Sequence, residues 1–165
     1  MKNRFYPEIL WIACALVAAG IGWLLVRKGA TPNSPAAVEA ALRQAHPTDL
    51  ESVTVYPLVP GQQAATRPFQ VRAPAQLRQL LPALQQLRPI KVAEGTFQPL
   101  LEATVVVRLT APVADAAHLH SRDLSFRLAS SDLGAVAQLA QTNNFYQAAA
   151  LSQRIAQLRD SVARR

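Results

Sequence analysis

The chain has 165 residues, half of them hydrophobic, and carries 17 Lys or Arg against 10 Asp or Glu for a formal charge of +7. That apolar content excludes a disordered polar chain, and the length suits one domain with its own core plus a short additional segment. The single cysteine, Cys14, excludes an intramolecular disulfide and, since it lies in an apolar run, leaves the remainder without a cysteine nucleophile.

Residues 9–26 read ILWIACALVAAGIGWLLV and contain no charge. As a helix they reach about 27 Å, close to the roughly 30 Å hydrocarbon core of a bilayer. Tyr6, Trp11 and Trp23 sit near the two ends, where amphipathic rings prefer the interface, and Lys2, Arg4, Arg27 and Lys28 flank the run. A cleaved export signal has a shorter apolar stretch and ends in small residues, whereas this one ends in LLVRKGA. A lipid-modified Cys14 is disfavoured, because Trp11 stands three positions before it and a long apolar run follows it. The expected division is therefore a basic tail at residues 1–8, a transmembrane helix at 9–26, a linker at 27–34 and a soluble α+β domain at 35–165. The lipid bilayer is the expected partner of residues 9–26. Basic residues on the two flanks nearly balance, so orientation rests on the export-like N-terminus, which favours an extracytoplasmic domain. Cys14, Ala18 and Gly22 recur every four residues, a small-residue face on which two helices can pair as a homodimer.

After the linker, Ser34-Pro35 reads as N-cap and first helical position, opening a helix to about residue 45 with Val38, Ala41 and Leu42 on one face. His46-Pro47 ends it. Residues 50–58 alternate as a strand, Pro60-Gly61 marks a turn, and residues 68–72 pair back as a second strand. In residues 73–87 Leu77, Leu80, Leu81, Leu84 and Leu87 form a helical stripe, interrupted by Pro82, which should kink or split the helix. Residues 102–110, with three consecutive valines, are the clearest strand. Residues 111–123 read as a long connection, residues 124–129 as a half-buried strand, and residues 134–142 as a further strand of a meander, with a helix as the competing reading. Residues 147–162 form a last helix, with Leu151, Ile155, Leu158 and Val162 in register and Thr142 or Asn144 as its cap. This order predicts a small antiparallel sheet with helices packed on one face.

Candidate chemistry is sparse. The candidate metal ligands are His118 and His120, which point to one side if the chain there is extended, with Asp115 and Asp123 nearby. A zinc site needs three or four protein ligands, and no third is spaced for it. Glu94 and Glu102 read as surface carboxylates on a loop, and Phe145 and Tyr146 as core aromatics. Serine-hydrolase, phosphate-loop and dinucleotide motifs are missing, so no catalytic residue or cofactor is assigned. Basic residues are scattered apart from Arg159, Arg164 and Arg165, which suit a helix C-terminus, so no nucleic-acid partner is expected. The expected function is a membrane-anchored, non-enzymatic binding or interaction module. The alternative is a metal-dependent envelope enzyme using the His118/His120 region.

Overall fold

The computed structural model describes residues 32–58, 67–92 and 100–163, with side chains to residue 161. The expected membrane helix, its Cys14, Ala18 and Gly22 face, the Pro60-Gly61 turn, Glu94, the Val162 side chain and Arg164-Arg165 lie outside the described residues. Among the described residues no helix is long and apolar enough to cross a membrane.

The domain is α+β. In chain order its elements are α1 (Pro35–Gln44), a short 3-10 turn (Pro47–Asp49), β1 (Leu50–Pro57), β2 (Phe69–Val71), α2 (Pro74–Gln85), β3 (Arg88–Ile90), β4 (Leu100–Leu109), α3 (Ala111–Ala116), β5 (Asp123–Ser131), β6 (Gly134–Leu139), β7 (Phe145–Gln147) and α4 (Ala149–Ala163). The seven strands form one sheet in the order β2-β1-β4-β5-β6-β7-β3, and every pairing is antiparallel.

Alternation along the strands makes the core. Val53 and Val55 of β1, Val105, Val107 and Leu109 of β4, Leu124, Phe126 and Leu128 of β5, and Ala137 and Leu139 of β6 are all buried. They share one cluster with Val38 and Leu42 of α1, Leu77, Leu80, Leu81 and Leu84 of α2, and Leu151, Ile155 and Leu158 of α4. Each fully buried Leu, Val or Phe contributes about 1.5–3 kcal/mol relative to exposure, which makes this face the main source of stability.

Several expectations need correction. Pro82 does not split α2, which continues as one helix to Gln85. Pro82 and Arg78 are both exposed, so the carbonyl that proline leaves unpaired four residues back can bond water. Ser34 stands at the N-cap as expected, its carbonyl accepting from Val38 N at 3.0 Å, but its side chain makes no capping bond. Residues 111–123 are not an open connection throughout, because α3 forms at their start, with Pro112 in its first turn.

Two strands were not anticipated. β3 is three residues long with Pro89 at its centre, a composition tolerated because the strand lies at the sheet edge. β7 takes Phe145–Gln147, so the last helix begins at Ala149 rather than 147. Thr142 and Asn144 consequently cap no helix. They shape the β6–β7 turn, where Thr142 Oγ1 donates to Leu139 O at 2.9 Å and accepts from Asn144 N at 3.2 Å.

The β5–β6 hairpin turns through Asp132 and Leu133, with Ser131 paired to Gly134. Gly134 has φ +87, which a side chain adopts only with strain.

Candidate functional site

The site is built by a fault in the β4–β5 ladder. Leu101 pairs with Ala129 and Ala103 with Leu128, leaving Glu102 as the extra residue of a β-bulge. An unbroken strand would place Leu101 and Ala103 on one face and Glu102 on the other. Here Glu102 and Ala103 both line a cleft of about 290 Å³, while Leu101 lines a separate trough of about 160 Å³ with Ala129, Val136 and Phe145. Bulges re-aim side chains in this way. The bulge is held from the residue after β1, Leu58, whose N donates to Glu102 O at 2.8 Å.

The cleft has an apolar floor and a charged rim. Val55, Ala103 and Leu128 on the floor are all buried. The opposing wall is one stripe of α4, Ser152, Ile155, Ala156 and Arg159, at the three- and four-residue spacing that shares a helix face. Glu102 and Arg159 are the charged residues of the described lining. Among the described residues the Glu102 carboxylate has no hydrogen bond or ion pair. Arg159 meets its neighbour Asp160 at 3.6 Å, both being 62 % exposed.

The cleft lies where β1 ends and β4 begins. Leu100 and Leu133, 53 % and 54 % exposed, are at this same end of the sheet. The chain enters the domain at the other end. There the Asn33 side chain donates to Ser121 O and accepts from Ser121 N, both at 3.0 Å, next to the start of β5.

His118 and His120 also lie at that other end, after α3. The extended geometry expected of them does not hold, because His118 has φ 54 and its N donates to Asp115 O at 3.1 Å, closing a turn. Both imidazoles are exposed. Asp123 is engaged elsewhere, accepting from Arg108 Nε at 2.8 Å and from a terminal guanidinium nitrogen of Arg108 at 3.0 Å, and this carboxylate holds the Arg108 pKa above its ordinary value. Among the described residues no three His, Cys, Asp or Glu come together as metal ligands would.

Tyr146 is a core aromatic, 2 % exposed and edge-on to Phe126 with centroids 6.4 Å apart. Its hydroxyl donates to Glu39 Oε1 at 3.2 Å. Burial, then the adjacent Glu39 charge, pushes its pKa up to about 12. Phe145, by contrast, lines the trough and is only half-buried.

Sequence reasoning missed the cleft. Glu102 was visible as a charge beside a valine-rich strand, but nothing in EATVVV marks a bulge at its first residue. No protein-family model, curated protein or solved structure matches the chain.

Proposed function

We propose that this chain is a small binding module, tethered to a membrane by residues 9–26, whose site is the cleft between β1, β4 and α4. The observation that carries the reading is the bulge at Glu102. It turns a carboxylate and its neighbour Ala103 onto one concave surface with a buried apolar floor. A few polar groups around an apolar concavity are the usual form of a small-ligand site, and 290 Å³ is at the small end of that range. The reading is non-enzymatic: among the described residues the rim supplies one carboxylate and one guanidinium, which suit orienting a ligand. The uncharged, interface-flanked run at residues 9–26 supports single-pass anchoring, with the domain on the extracytoplasmic side.

The cleft is tested by methyl-resolved NMR of the full chain against a panel of small probes: neutral aliphatic, cationic, anionic and zwitterionic. Saturable shifts at Val55, Leu128 and Ile155 with any class support the site. If those methyls stay fixed while methyls elsewhere move, or if nothing moves at millimolar probe, the cleft is not a binding site. Anchoring is tested separately by carbonate extraction and protease protection of membranes carrying the full chain. Release of the intact chain by carbonate contradicts the tether.

A further inference from the structure

The two charges on the rim allow the ligand class to be named, resting on the cleft reading above. Glu102 and Arg159 have opposite sign and line one cleft, yet they do not close on each other. Arg159 meets Asp160 instead, and Glu102 is left without a partner among the described residues. Opposite charges that line one cleft without pairing, beside an apolar floor, match a molecule that carries both charges at one end of an apolar body. The volume limits its size. A water molecule takes about 30 Å³ of liquid, so 290 Å³ is the space of about ten waters and suits a ligand of about ten non-hydrogen atoms.

The geometry points to an apolar α-amino acid as the ligand, its ammonium on the Glu102 carboxylate, its carboxylate on the Arg159 guanidinium and its side chain on Val55, Leu128 and Ile155. An ammonium or carboxylate meeting its opposite charge in a partly desolvated cleft makes the stronger kind of hydrogen bond. The planar fork of arginine suits a carboxylate better than the point charge of lysine would. Single-charge ligands forgo one of the two charge contacts, which gives discrimination as well as affinity.

The test is titration calorimetry of the full chain with L-leucine, beside three relatives that each lack one feature. 4-Methylpentanoate lacks the ammonium, 3-methylbutylamine lacks the carboxylate, and glycine lacks the side chain. Leucine should bind with a low-millimolar Kd, as expected for so few atoms, and each relative should bind roughly tenfold more weakly or worse. Glu102→Gln, which keeps the side chain's shape, and Arg159→Gln, at a position 62 % exposed, should each weaken leucine by a similar factor without lowering the melting temperature. In Glu102→Gln the preference for leucine over 4-methylpentanoate should disappear, a change that mere loss of structure would not produce. If a single-charge relative binds as tightly as leucine, the amino-acid assignment is wrong and the cleft reading stands. Leucine binding untouched by both substitutions also overturns the assignment. If no probe of any class moves the cleft methyls, the cleft reading itself falls.

Discussion

At the scale of single residues, environment decides roles that residue type does not. Glu39 shows this: it accepts the Tyr146 hydroxyl at 3.2 Å on one oxygen and meets Arg43 at 3.3 Å on the other, fastening α1 to the sheet. Gln85 fastens the end of α1 to α2, its amide donating to Ala45 O at 3.1 Å. The Tyr146 link has a pH consequence whose sign follows from its raised pKa. Between the ordinary tyrosine value of about 10 and the folded value of about 12, the unfolded chain loses the phenolic proton first. The folded state then holds more protons than the unfolded, so the contribution is complete below about pH 10 and is lost as pH rises toward 12. Tyr146→Phe should therefore lower stability at pH 8 by about 1 kcal/mol, the worth of one hydrogen bond. Its denaturation midpoint should fall less steeply than the parent's between pH 10 and 12. Parallel slopes for the two proteins would show that Tyr146 titrates normally. Of the residues that carry the site, Glu102 was readable in the sequence only as a charge next to a strand. Its assignment depends on a one-residue register shift against Ala129 and Leu128, a partner strand more than twenty residues away.

At the scale of elements, legibility followed length and periodicity. The helices α1, α2 and α4 and the long strands β1, β4 and β5 each carry enough turns or alternations for one face to declare itself. The ambiguous stretch after Ser131 is a strand, β6, as the meander reading expected. The three-residue strands β3 and β7 could not be read. Three residues define no period, and both exist because a neighbouring strand offers a free edge: Arg88–Ile90 pairs only with Phe145–Gln147.

The stripe of α2 leads to two predictions. Leu84 is 2 % exposed, so Leu84→Asp should cost more than about 4 kcal/mol by placing a charge in the core, measured by urea denaturation. A loss under about 1 kcal/mol would mean that the stripe does not face the core. Pro82 lies on the exposed side of the same helix. Pro82→Ala should stabilise by roughly 1–2 kcal/mol, since it restores an amide donor to the Arg78 carbonyl and the gain exceeds the unfolded-state entropy that proline removes. A lower melting temperature in this variant would mean that the ring packs against something the helix needs.

At the scale of the whole domain, the sheet has two ends with different character. One end holds Asn33, bonded to Ser121, together with the turn carrying His118 and His120. The other holds the bulge, the cleft and the exposed Leu100 and Leu133. This separation was not legible in the sequence, because it follows from strand order. β1 and β4 run antiparallel over Val53–Tyr56, which brings Pro57 to Ala103 at one end and Leu50 to Leu109 at the other. The central claim is that the end built around Glu102 is where a ligand binds. Hydrogen–deuterium exchange of the full chain, with and without saturating L-leucine, measures this most directly. The account predicts slower exchange in residues 101–105 of β4 and 152–160 of α4, and at the Leu58 amide that bonds the bulge, with the turn at residues 117–122 unchanged. Protection confined to residues 117–122, or none in β4 and α4 with leucine or with any probe of the neutral, cationic, anionic and zwitterionic panel, would contradict it.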